Sequence, residues 1–305
     1  MEDERTLLGT VTIFNMEILY NIVMKLSLCI AVFNEEKNIH YPLDSTYDLA
    51  DEVVIIDGAS TDKTVEVAES YGPKVRVIHA KYEKMFHKNK QKAIEAAKGE
   101  WILQLDADES LSDELKLEIK KIINNNLESR IKNSESNKKI LNSKFNSELY
   151  IHNSRFVAYW LPRKNWFLTR FLEKGGQYPD YTIRLYKNGV ARFPCKDVHE
   201  NVEVKGEVGY LKNPLLHYAD PDFSRYLMRW DRYTTLEVER MFSNKSVIRN
   251  PQFFNYLIVK PYLTFFSMYF RHKGFMDGFP GFVFALFSSL RFIVIYVKWR
   301  VRRSL

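Results

Sequence analysis

Trp101-Ile102-Leu103-Gln104-Leu105 runs straight into Asp106-Ala107-Asp108-Glu109, and the reading of this stretch decides the fold. A short apolar run that stops at an acidic turn is a buried strand ending in a polar loop. Working outward, His87–Lys98 has a helix pattern closed by Gly99, and Lys74–His79 (KVRVIH) alternates like a strand. Farther back, Leu26–Val32 (LSLCIAV) is a buried strand pattern followed by Asn34, Glu35 and Glu36. Glu52–Ile56 (EVVII) is another, ending at Asp57-Gly58. In the stretch after it, Val65, Ala68 and Tyr71 keep helical spacing, Ser60 or Thr61 is positioned to cap the first turn, and Gly72-Pro73 stops it. Strands alternating with helices of this length predict an α/β fold, a mostly parallel sheet with helices on both faces. Ligands of such sheets bind beyond the carboxyl ends of the strands, where both acidic turns fall.

The chain has 305 residues, 46% of them hydrophobic and 27% charged, an ordinary globular balance that excludes a disordered chain. Aromatic residues reach 14%, and the net charge of +7 suits an anionic partner: nucleic acid, a phospholipid surface or a phosphorylated substrate. Cys29 and Cys195 form no pair framework and read as small core residues in a reducing compartment. Residues 1–24 mix acidic and apolar residues, offer no secretory signal and read as an extension outside the fold, with Met24 as the start. A catalytic domain is expected over 25–245, interrupted by an Asn/Lys/Ser-rich surface excursion at about 124–148 that is too poor in large apolar residues to order itself. Residues 221–245 look helical, and 246–305 form an aromatic and basic C-terminal region of amphipathic helices.

Asp106 and Asp108 are the sharpest chemical feature, because two carboxylates one residue apart on a loop can face one hard cation. Unpaired, they would repel each other and shift each other's titration. The bland alternative is an acidic turn capping the next helix. Asp57, on the neighbouring strand pattern, is a further acceptor suited to a uracil imide N–H or a ribose hydroxyl, whereas Asp62 is explained by helix capping.

In the order AVFNEEKNI, VVIIDGASTDKTVEVAE, KNKQKAIEAAKGEWILQLDADE, YPDYTIRLYKNG and VHE, the chain resembles family 2 glycosyltransferases, nearest their lipopolysaccharide-core β-glucosyltransferase-like branch, from Lys25 to about residue 290. The resemblance implies an inverting enzyme with the Rossmann-like A-type glycosyltransferase fold, a nucleotide-diphosphate sugar donor and Mg²⁺ or Mn²⁺. It implies base reading by Asp57, a ribose and metal-associated carboxylate at Asp106, and a direct metal ligand at Asp108. Ala31, Phe33, Asn34 and Glu35 match the loop around the nucleotide, with Phe33 placed to pack on the base. Lys90 matches a basic residue near the donor. Asp180 matches the base that takes the acceptor proton, since Arg184-Leu185 and Gly189 follow it in the family's order. Pro179 stands where the commoner Glu-Asp pair has its first acid, and Glu200 is the second candidate. His199 completes the metal sphere or touches the diphosphate. Arg184 either binds phosphate or pairs with an acidic neighbour, and His217 reads as structural.

The C-terminus shows no clean span of about 20 apolar residues, since Lys260, Arg271, His272, Lys273, Asp277 and Arg291 interrupt it. Basic residues beside aromatics describe interfacial helices, with Lys298, Arg300, Arg302 and Arg303 positioned for anionic headgroups. The alternative is an aromatic core or a homo-oligomer interface. The resemblance implies a nucleotide-sugar donor and a lipid-linked saccharide acceptor, and with these features it predicts a peripheral enzyme on the cytoplasmic face of the inner (plasma) membrane, with anionic lipids as a surface partner and no nucleic acid. A polyprenyl-phosphate glycosyltransferase and a non-catalytic membrane-associated binding module are the rival readings.

Overall fold

In the computed structural model, β1 (Leu26–Val32), β2 (Glu52–Asp57), β3 (Val75–His79) and β4 (Trp101–Leu105) lie side by side in parallel, in the order β3-β2-β1-β4. The structure describes residues 25–133, 155–195, 201–243 and 253–304, with the backbone alone for 125–133. The expectations for the N-terminal extension, for most of the excursion at 124–148, and for His199 and Glu200 lie outside the described residues.

Strand alternation sorts side chains onto two faces. Leu26, Leu28, Ile30 and Val32 of β1, with Val53, Ile55, Trp101, Leu103 and Leu105, fill one core. That core is closed by α1 (His40–Thr46), α2 (Thr64–Glu69) and α4 (Asp113–Asn133), through Ile39 and Leu43, Ala68, and Leu115 and Ile119 respectively. Cys29, Val54, Ile56 and Ile102 face the other way, against Ala93 and Ile94 of α3 (His87–Ala96). Burial drives the Cys29 thiol pKa far up, so it behaves as an inert core group. The expected helices on both faces are therefore present.

Between β4 and α4 lies the short β5 (Glu109–Leu111). Beyond β4 the sheet continues with β8 (Asp180–Lys187), which is antiparallel to it, and then β6 (Ala158–Phe167). Two close approaches fix this end. A Cβ on Gly99 would meet Ser27 Oγ at 2.5 Å, so only glycine lets the loop before β4 reach the start of β1. Ser27 Oγ in turn donates to buried Glu52 at 2.6 Å and accepts from Gly99 N at 2.7 Å.

The chain forms two units, residues 1–161 with 181–215 and residues 162–180 with 216–305, whereas the sequence placed its boundary at 245/246. In the second unit, β6 ends in a hairpin with β7 (Arg170–Phe171). After β9 (Leu215–Asp220) come α5 (Phe223–Ser243), a helical arm over 255–271 containing α6 (Lys260–Phe266) between two π-turns, and α7 (Gly278–Ser304). Two small cores hold this unit: Phe167, Leu172, Tyr226 and Val283, and Val238, Met241, Tyr256, Ile295 and Trp299.

Two expectations need correction. Neither Ser60 nor Thr61 caps α2: Asp62 Oδ1 accepts from Thr64 N at 3.0 Å, while Ser60 and Thr61 are drawn to Asn34. A helical segment over Gly274–Ser304 is also long and apolar enough, by length and composition, to cross a membrane. Of the residues that argued against such a span, Lys260, Arg271, His272 and Lys273 precede it, Asp277 and Arg291 lie within it, and only Arg291 falls within 278–297.

Candidate functional site

Register places the two acidic turns. Asp57 pairs with Val32 and Leu105 with Ile30, so Asp57 and Asp106 end the strands on either side of β1 at nearly the same height. Two strand spacings of about 4.8 Å put their backbones roughly 10 Å apart on one edge of the sheet. The two turns share one edge of the sheet because three parallel strands adjoin, with β1 between the strands that carry them.

Around Asp57 the backbone turns sharply, with Ala59 at a φ of 67°. Asp57 is buried; its Oδ1 accepts from Ser60 N at 3.1 Å and its Oδ2 lies 3.3 Å from His79 Nδ1. The loop after β1 is laced to the same turn. Asn34, left-handed at φ 56°, donates its N–H to Ser60 Oγ at 2.9 Å and accepts Thr61 N at 2.7 Å. Glu35 N donates to Thr64 Oγ1 at 2.7 Å. Phe33 is exposed, its ring 4.6 Å from that of Tyr82. Ala31, half-buried, pairs with Ile56. The loop from Phe33 to Glu35 is therefore a formed, braced rim beside Asp57.

The second turn is built around charge. Alternation along β4 sends Ile102 toward α3, and Gln104 and Asp106 share its parity. Lys90 of α3 forms an ion pair with Asp106 Oδ1. Arg184 of β8 donates from Nη2 to Asp106 Oδ2 at 2.7 Å and to Glu109 Oε1 at 2.8 Å, and from Nη1 to Gln104 Oε1 at 2.8 Å. Glu109 Oε2 accepts Asp106 N at 3.0 Å and closes the turn. Burial lowers the Lys90 pKa and nearby Asp106 only partly offsets it. For Arg184 the balance reverses: burial works against the charge, yet Asp106 and Glu109 hold its pKa above the usual range. Of the two roles open for Arg184, the geometry shows the acidic pairing.

Among the described residues no three His, Cys, Asp or Glu side chains converge to form a closed metal cage. Mg²⁺ and Mn²⁺ suit this arrangement, since such ions are held by one or two carboxylates and complete their shell with phosphate oxygens and water. Half-buried Asp108 has the right hard oxygens, with Asp106 beside it.

Asp180 belongs to the second unit. Its Oδ2 accepts from Arg163 Nε at 3.0 Å, Arg163 Nη2 at 2.7 Å and Asn165 Nδ2 at 3.2 Å. Asn165 Oδ1 lies 2.6 Å from His217 Nδ1. Arg163, Asn165, Gln104 and Glu109 were not singled out from sequence. Their partners are distant in the chain, and the one available signal was a polar Gln104 inside an otherwise apolar strand.

Residues 27–186, just over half of the chain, match the model of glycosyl transferase family 2. The lipopolysaccharide core biosynthesis glycosyltransferase LpsC of Rhizobium meliloti is 24% identical over 92% of this chain and 94% of its own. An uncharacterized glycosyltransferase of Rickettsia bellii is 27% identical over 89% of this chain and 85% of its own. Among solved structures, the mannosyltransferase PcManGT of Pyrobaculum calidifontis, in complex with GDP-Man and Mn²⁺, is 12% identical with a TM-score of 0.47, over 91% of this chain and 87% of that one. S. aureus TarS 1–349 with UDP-GlcNAc is 15% identical with a TM-score of 0.42, over 90% and 88%. With its parallel sheet, its helices on both faces and its match to the family model, this chain belongs to glycosyl transferase family 2 and is a glycosyltransferase of the A-type fold.

Proposed function

We propose that the enzyme transfers a hexose from a UDP-sugar, with inversion, to a hydroxyl of a lipid-linked envelope saccharide at the cytoplasmic face of the plasma membrane. The observation that carries the donor half is the pair of strand ends at Asp57 and Asp106. They are spaced to hold the nucleoside at one and the diphosphate at the other. Asp57, braced by Ser60, is placed for the uracil ring, with the Phe33 to Glu35 rim around it. Lys90 and Arg184 fix the Asp106 carboxylate, so the ribose meets an acceptor that does not have to be ordered on binding. A divalent cation, Mg²⁺ or Mn²⁺, held by Asp108 with Asp106 beside it, would neutralise the diphosphate as it leaves.

Asp180 is the proposed base. Arg163 and Asn165 hold Oδ2, and Oδ1 accepts no hydrogen bond among the described residues. That oxygen takes the acceptor hydroxyl proton while the acceptor oxygen attacks the anomeric carbon and the bond to the diphosphate breaks. The acceptor class is supported by the name and full-length similarity of LpsC.

The test is a donor screen with UDP-glucose, UDP-galactose, UDP-N-acetylglucosamine and GDP-mannose, repeated with Asp180→Asn. A hydroxyl acceptor predicts that turnover falls by about 10²–10⁴ with donor affinity retained. A mild effect favours a polyprenyl-phosphate acceptor, already anionic and needing no base. No turnover with any donor favours a binding module.

A further inference from the structure

We infer that the C-terminal helical hairpin is an in-plane anchor for an anionic bilayer, and that α7 lies along the membrane rather than across it.

The arm before α7 carries a row of exposed apolar residues four apart, Phe254, Ile258, Tyr262, Phe266 and Phe270, each 43–63% exposed. The rings of Tyr262, Phe266 and Phe270 follow one another at centroid distances of 4.4 and 5.1 Å, so they form a continuous ladder. On α7, Phe279, Phe282, Val297 and Val301 are exposed, and half-exposed Leu286, Leu290 and Ile293 recur between them at steps of three and four. Such steps form a single stripe. A monomer rarely leaves this much aromatic surface open without a partner.

Charge identifies that partner. Residues 253–304 hold eight Lys or Arg, namely Lys260, Arg271, Lys273, Arg291, Lys298, Arg300, Arg302 and Arg303, against the single acid Asp277. Asp277 is buried, 3.7 Å from Arg170 and accepting from Glu173 N and Lys174 N, so it offers no negative charge outward. Exposed aromatics among basic residues match an interface of acyl chains and anionic headgroups.

The helix passes the length test for a span, yet its flank is occupied by α5. Phe223 and Tyr226 pack on Phe287, and Trp230 Nε1 donates to Phe287 O at 3.0 Å. Lys298 Nζ donates to Asp231 Oδ1 at 2.6 Å, and Arg302 lies 4.0 Å from Glu239. A spanning α7 would carry Asp231, Arg232, Glu237 and Glu239 of α5 into hydrocarbon, where charged groups are costly. The turn before α7 is also tied to its own unit, through Asp277 and through Gly175 N donating to His272 O at 2.9 Å. Lying flat satisfies both constraints.

The full-length protein should sediment with phosphatidylcholine vesicles containing phosphatidylglycerol, bind much less without it, and leave the pellet in alkaline carbonate. The variant Tyr262→Ser/Phe266→Ser/Phe270→Ser should lose binding on the order of tenfold while keeping UDP affinity, which shows that the catalytic unit is folded. Arg300→Ala/Arg303→Ala should reduce binding to anionic vesicles only. In cysteine variants at Lys273 and Ser304, an impermeant maleimide should label both ends from the same side of sealed vesicles. Labelling from opposite sides, resistance to carbonate, or unchanged binding in the triple variant would overturn the inference.

Discussion

Replacing Arg184 with Met removes a buried fork and leaves the shape of its stem. Three acceptors lose their donor at once: Gln104 Oε1, Asp106 Oδ2 and Glu109 Oε1, all at 2.7–2.8 Å. Asp106 keeps Lys90. Glu109 is fully buried, and its carboxylate also accepts the Asp106 N–H. Removing one partner of a buried ion pair costs about 3–5 kcal/mol, because the other charge stays buried. At roughly 2–4 °C per kcal/mol for a domain of this size, the melting temperature should drop on the order of 10 °C. Glu109→Gln in the same background removes the stranded charge, so the double variant should recover part of the loss and give a coupling energy above about 1 kcal/mol. Thermal and urea unfolding of wild type, both single variants and the double variant supply the cycle. A loss under about 1 kcal/mol in Arg184→Met, or additive single effects, would refute the charge cluster as the support of the Asp106 turn. Arg184→Lys should behave almost as badly as Met, since an ammonium cannot reproduce the fork.

Gly99→Ala places a Cβ 2.5 Å from Ser27 Oγ and 2.7 Å from its backbone N, and should destabilise by about 1–3 kcal/mol in urea unfolding. Glu52 gives a pH-dependent prediction. Burial raises its pKa, but hydrogen bonds from Ser27 and Lys98 N, with Arg76 nearby, outweigh it and hold the carboxyl below its usual range. A depressed folded value adds stability above the unfolded pKa of about 4.3 and loses it as pH falls through the folded value. Glu52→Gln should therefore be clearly less stable than wild type near neutral pH, with the gap shrinking in acid.

The sheet was legible because β1, β2 and β4 are covered on both faces and read as short, largely apolar runs. The strand-end acids were legible because each follows such a run directly. Helix α1 was not: HYPLDST is a single short helix with Pro42 inside it, and it is held by burial of Leu43 and Thr46 rather than by periodicity. The ring of contacts around Asp106 was hidden for another reason. Arg184 meets its partners across 75–80 residues, and only strand register brings β8 beside β4. The apolar length of α7 could have been read, since its one interior charge is Arg291, but counting charges over the whole C-terminal region concealed where the helix starts.

On the proposed function, the strand end at Asp57 reads the nucleoside and the one at Asp106, across β1, holds a cation against its diphosphate. Calorimetry of UDP binding with and without Mn²⁺, in wild type, Asp57→Ala and Asp108→Ala, tests it most directly. Asp108→Ala should abolish the Mn²⁺-dependent gain, and Asp57→Ala should weaken binding on the order of tenfold while leaving that gain intact. Metal-dependent affinity unchanged in Asp108→Ala would contradict the account.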